Sequence, residues 1–269
     1  MNSRLRYGRT LAALAGLLLV SATTVAAQPS DPYERWARVL TSFVNEVGEV
    51  DFRALARERT DLDAFLDYVA RVSPGATPDA FTSRGAKLAY YVNAYNALAM
   101  FNVIDSDFPK SLSGLTKVKF FGFKRFTIGG ERMTLYSLEN DVIRPLGDER
   151  VHFALNCMSV SCPRLPRTPF RAETLNQQLD AEARRFFSEE RNLQRDPGRK
   201  LLHVSSILEF YTKDFLARMP SLIAYTNLYS NEQILTDYRV EFIDYDWTVN
   251  DQRRDKTSSG VPGLSALSS

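Results

Sequence analysis

Histidine, cysteine and tryptophan are scarce in this chain, with two of each in 269 residues. Two cysteines exclude the disulfide-dense scaffolds on which many small secreted domains depend. With the two histidines they leave one combination, His152, Cys157, Cys162 and His203, as a cysteine and histidine metal set. Its spacing argues against zinc, because C-x4-C is wide for a knuckle and the histidines fall on different elements. No metal and no other cofactor is therefore expected. A phosphate-binding loop, a dinucleotide fingerprint and a Gly-x-Ser-x-Gly elbow are all missing, which removes the nucleotide and serine-hydrolase signatures. Also lacking is any apolar run of the ~20 residues that a membrane span needs.

The longest apolar run, Leu11 to Val20, follows Arg4, Arg6 and Arg9 and precedes small residues ending at Val25, Ala26 and Ala27. Basic, apolar, then small is the order of a secretory leader, so residues 1–27 read as a signal peptide cut after Ala27, and the chain as exported, periplasmic or extracellular. No cysteine stands at the cut and no Arg-Arg pair precedes the run, which argues against lipid attachment and twin-arginine export. Loss of the three arginines changes 34 basic against 32 acidic residues to 31 against 32. A nearly neutral mature chain offers no electrostatic reason to bind nucleic acid or to stay on an anionic membrane.

What is present is a core-forming chain, 44% hydrophobic and 12% aromatic. Helical spacing of Tyr33, Trp36, Val39, Leu40, Phe43 and Val44 predicts a first helix over Asp31–Val47 with Asp31 as its cap. A second is predicted over Leu62–Val72. The third, Ser83–Ile104, is apolar around most of its circumference, so it belongs in the centre of the core, and Asn93 and Asn96 inside it require partners. Val118–Leu135 reads as strands closing into a hairpin at Gly129-Gly130. Ser137 is expected to cap a short helix, Val151–Cys157 to form a buried strand, and Ala172–Arg191 a charged helix. Leu201–Val204 and Val240–Tyr245 read as further strands, with a helix opened by Ser206 and Glu209 between them. From Asp251 to 269 a polar, glycine-containing run reads as a disordered tail. The expectation is one α+β domain over 28–250, with a central buried helix and other helices packed on a small, mainly antiparallel sheet.

Five segments in this order, YYVNAYNAL from Tyr90, FTIGG from Phe126, VHFALNCMSVSCPRL from Val151, SSILEFYTKDF from Ser205 and DYDWTVN from Asp244, are similar to the domain of unknown function 547 family. The resemblance covers about residues 50–250 and identifies the chain as an uncharacterised, exported, bacterial-type member. It implies no settled reaction. Where the family usually has Glu-His after the hairpin, this chain has Glu139 followed by Asn140.

Two functional readings follow from the residues. In the first, Cys162 is a nucleophile with His152 as base and Asn93, Asn96 or Glu139 as the third, supporting group, in a thiol-dependent hydrolase or acyl transferase. Strand alternation would set His152 and Cys157 on opposite faces and leave Cys162, beyond the strand end, to reach the imidazole. In the second, Cys157 and Cys162 close a disulfide worth about 2 kcal/mol. The domain then only binds a small molecule or peptide, with Asn93, Asn96 and Tyr91 lining the pocket.

Overall fold

The computed structural model describes residues 31–254, so the signal peptide expected over 1–27 and the part of the expected tail from 255 onward lie outside the described residues. Helix α1 (Pro32–Phe43) begins where Asp31 accepts from the Tyr33 amide. Helix α2 (Phe52–Arg57), which the hydrophobic pattern was too short to reveal, is capped in the same way by Asp51. Helix α3 (Thr60–Arg71) lies beside α1, where Trp36 stacks on Phe65 with ring centroids 5.5 Å apart. Helix α4 (Arg84–Asp105), capped by Ser83, is the central buried helix expected, and Tyr90, Val92, Ala94, Ala97 and Met100 are fully enclosed. Burial of each large apolar side chain is worth roughly 1.5–3 kcal/mol, which outweighs the cost of enclosing a few amides that find partners.

A short helix α5 (Gly114–Lys117) runs into a π-helical turn over Val118–Phe123, where strands were expected. Asn102 of α4 donates to the Phe120 carbonyl at 3.0 Å, and the Phe120 ring is buried. Tertiary anchoring thus overrides the strand preference of this aromatic run. The hairpin is shorter than predicted: β1 (Arg125–Ile128) pairs antiparallel with β2 (Glu131–Thr134). Its turn, Gly129 at φ +56° and Gly130 at φ +85°, is docked, with both amides donating to Val69 and Ala70 carbonyls at the end of α3 (2.9 and 2.8 Å). A helix end leaves its last carbonyls without internal partners, and this turn supplies two donors.

Thr134, not Ser137, caps the next helix, α6 (Leu135–Ser137), which continues as a π turn over Leu138–Ile143 and a 3-10 turn ending at Gly147. The predicted strand Val151–Cys157 is absent. Asp148 accepts from the Arg150 amide, and Glu149–Phe153 winds into a 3-10 helix followed by an irregular buried loop. A short apolar run cannot by periodicity alone be told from a buried helical turn. Here α4 supplies the backbone partners a strand would have had: Asn96 donates to the Ala154 carbonyl and accepts from the Asn156 amide.

Helix α7 (Leu175–Ser188) is followed by β3 (Leu193–Asp196) and β4 (Leu201–Ser205), then α8 (Ser206–Phe210), α9 (Thr212–Arg218), α10 (Leu222–Thr226) and β5 (Arg239–Ile243). Ser205, one residue earlier than expected, caps α8. Strand order is β3-β4-β5, antiparallel then parallel, because three helices separate β4 from β5. The fold is α+β as expected, although its strands form two small sheets rather than one.

Two apolar clusters fill it, one around α4 and one around α7–α10. Val151 belongs to the first and Phe153 to the second, so the 3-10 helix between them carries His152 at their junction. Asp251 to Arg254 do not belong to a tail. The Gln252 amide donates to the Val50 carbonyl, and Arg253 pairs with Asp51 at 2.8 Å. Among the described residues no helix is long and apolar enough to cross a membrane.

Candidate functional site

Loss of the predicted strand removes the alternation argument that separated His152 from Cys157. His152 is buried, and its Nε2 lies 2.8 Å from Asp214 Oδ2 on α9. Its ring stacks on Tyr211 at 3.7 Å between centroids and meets Phe215 edge-on. The Asp214 carboxylate is also gripped by Arg144 through Nε at 2.8 Å and Nη2 at 2.9 Å. These donors, His152 first and Arg144 next, hold the Asp214 carboxyl well below the usual carboxylate range. Asn140, at the family's histidine position, accepts from Arg144 Nη1 at 2.6 Å and so orients the same guanidinium.

Glu139 joins this group through Tyr211, whose hydroxyl donates to Oε1, while Tyr95 on α4 donates to Oε2 at 3.1 Å. Burial, reinforced by the Glu139 charge, raises both phenols well above their ordinary range, so they remain donors. Tyr211 therefore touches both His152 and Glu139.

Cys157 and Cys162 are bonded to each other, with sulfurs 2.13 Å apart. Cys162 is 4% exposed. The Tyr245 hydroxyl lies 3.2 Å from Cys162 Sγ and 3.3 Å from Cys157 Sγ, and Ser159 Oγ stands 3.0 Å from Cys157 Sγ. The Cys162 thiol expected as nucleophile is thus held in a bond in this structure, and the imidazole expected to activate it is committed to Asp214. Sequence spacing cannot reveal that pairing, because Asp214 is 62 positions from His152.

The pocket predicted from the amides is not built. Asn93 Oδ1 accepts from Trp36 Nε1 and the Phe170 amide, and its Nδ2 donates to the Ala89 and Phe170 carbonyls, which uses all four of its hydrogen-bonding positions. Asn96 is consumed by Ala154 and Asn156, as above. Tyr91 packs edge-on against Tyr90 with centroids 5.1 Å apart, as a core-lining ring. Asn93 and Asn96 are thus bonded within the core, and Tyr91 is partly buried at its edge. His203 stands on β4 with Nδ1 3.7 Å from Glu241, and among the described residues no three His, Cys, Asp or Glu side chains gather as a metal would require.

The residues that sequence reasoning missed are Tyr211, Tyr245, Asp214, Arg144 and Tyr95. Tyr95, Tyr211, Asp214 and Tyr245 lie within the five blocks, and that clustering was their only signal. The fold and this arrangement define an α+β domain whose histidine–carboxylate cluster adjoins a disulfide-closed loop. Residues 79–187 match the family described as Protein of unknown function, DUF547, so the family resemblance holds over that segment, which contains α4, the hairpin and the cysteine loop. Neither the curated proteins nor the solved structures yield a match.

Proposed function

We propose that the mature chain is an exported, disulfide-stabilised domain that binds a small molecule or a peptide and does not use Cys162 in catalysis. The carrying observation is the Cys157–Cys162 bond beneath the Tyr245 and Ser159 hydroxyls, with Cys162 almost wholly enclosed. The leader-like order of residues 1–27 supports export, and an oxidising compartment keeps such a bond closed. The near-neutral mature charge supports a partner other than nucleic acid, and among the described residues no helix is long and apolar enough to cross a membrane.

A thiol-dependent hydrolase or acyl transferase, with Cys162, His152 and Glu139, is the second reading. What favours it is that Tyr211 links His152 to Glu139. It requires the bond to open first. Intact-mass measurement of the unreduced mature protein, followed by alkylation, separates the two. The binding reading expects a mass lower by two hydrogens and no labelling in the folded state. Selective alkylation of Cys162 that disappears in His152→Ala would establish the thiol reading in its place.

A further inference from the structure

Between Asp107 and Glu131 the chain carries Lys110, Lys117, Lys119, Lys124 and Arg125 and no acidic residue. The near-neutral charge of the whole chain conceals this run. Lys124 is neutralised by Asp105, but among the described residues no carboxylate stands within ion-pair distance of the other four cations. All four are exposed.

The same segment turns large apolar side chains to water: Leu115 is 79% exposed, Val118 48% and Phe123 72%. Its winding sets them on one side. Leu115 and Val118 are three apart across α5 and the start of the π turn, and Val118 and Phe123 are five apart within that turn, where the hydrogen-bonded repeat is also five. The inner side is pinned by the buried Phe120 ring and by the bond from Asn102 to the Phe120 carbonyl, so the turn cannot roll its outer residues into the core. Helix α6 packs against the turn and adds Tyr136, 60% exposed. On the other flank Lys117 Nζ lies 3.9 Å from the centroid of the Trp247 ring, which stacks on the exposed Phe210. Exposed apolar side chains gathered in one place and rimmed by charge mark an interaction surface.

We infer that this turn docks the protein on the surface of an anionic lipid bilayer. Leu115, Val118 and Phe123 seat at the boundary between headgroups and acyl chains, and Lys110, Lys117, Lys119 and Arg125 meet the lipid phosphates. Charge complementarity selects an anionic partner, and the kind of cation selects a membrane. Lysine, which supplies three of these four cations, is depleted at protein–protein interfaces, whereas apolar side chains flanked by lysine are the composition of interfacial membrane anchors. Attachment of this kind is peripheral and needs no spanning helix. It adds an attachment surface to the binding reading and does not depend on it.

Flotation of the mature protein with vesicles of phosphatidylcholine alone, or of phosphatidylcholine and phosphatidylglycerol in equal parts, tests it. Affinity for the mixed vesicles is expected to exceed that for phosphatidylcholine by about tenfold or more, and to fall as salt rises to about 1 M, where charges are screened beyond about 3 Å. Phe123→Ser is expected to weaken that association about tenfold and Lys119→Glu about fivefold, both with unchanged urea midpoints because the side chains are exposed. Leu235→Ser, at an apolar position 64% exposed outside the segment, is expected to change nothing. No association with either vesicle, equal association with both, or association that survives both Phe123→Ser and Lys119→Glu would overturn the inference. The comparison of the two vesicles uses the wild-type chain and stays decisive if a variant does not fold. A dimer dissociated by Phe123→Ser, without vesicle binding, would give the face to a second copy, and retention of polyglutamate without vesicle binding would give it to an acidic protein. Either result overturns the inference and leaves the binding reading intact, since that reading falls only if Cys162 is alkylated with dependence on His152.

Discussion

His152 Nε2 and Asp214 Oδ2 stand 2.8 Å apart, joining the 3-10 helix between the two apolar clusters to α9. The same carboxylate oxygen accepts from Arg144 Nε at 2.8 Å, so one aspartate fixes a buried imidazole and a half-buried guanidinium.

Asp214→Asn retains the shape and removes the charge. The expected outcome in urea denaturation is a loss of about 1–2 kcal/mol, the scale of a charge-assisted hydrogen bond that remains partly solvated. Asp237→Asn, which removes only the exposed pair with Lys200, is expected to leave the urea midpoint unchanged.

Acid titration of stability reports the same carboxylate. Its folded pKa is depressed below the unfolded value of about 3.9, so its contribution is fully present above that pH and is lost as pH falls toward the folded value. Wild-type stability is therefore expected to decline below about pH 4 more steeply than that of Asp214→Asn, as read from urea midpoints across pH 2–6.

Asn93 tests whether the central helix needs its amide for structure alone. Asn93→Leu deprives Trp36 Nε1, the Phe170 amide and two carbonyls of their partner at once. A loss of at least about 3 kcal/mol is expected in denaturant melts, since each stranded buried group is disfavoured by about 1–3 kcal/mol.

The hairpin turn separates conformational preference from close packing. A Cβ at Gly129 would lie 2.0 Å from Ser73 Oγ and 2.5 Å from Ser73 Cβ, whereas one at Gly130 meets nothing within 4 Å. Both glycines have positive φ, so Gly130→Ala carries only the backbone strain of about 1 kcal/mol. Gly129→Ala is expected to lose at least about 1 kcal/mol more, and thermal melts that rank the two equally would refute the docking of this turn against Ser73.

Much of the fold follows from local patterns that the sequence carries by itself. Asp31 and Ser83 mark the starts of α1 and α4, the near-continuous apolar surface of α4 places it at the centre, and Gly129-Gly130 marks the hairpin. These are short-range effects, set by capping, periodicity and allowed φ. Three of the five ordered blocks, those from Tyr90, Phe126 and Val151, lie in the segment 79–187 that matches the family.

Tertiary structure alone decided three further matters. It wound Val118–Phe123 and Glu149–Phe153 into helical turns, because side chains of α4 bond the backbone there and a strand partner does not. It turned Asn93 and Asn96 from pocket residues into core fasteners. It also brought Asp214 to His152 and Lys117 to Trp247, pairings between distant positions that no spacing encodes. The amino-acid sequence by itself determined the existence of α1, α3, α4 and α7 and the caps at Asp31 and Ser83, since each depends on neighbours a few residues away. Which polar groups remain available to a ligand depends on where every other donor and acceptor has found its partner, and only the packed chain settles that.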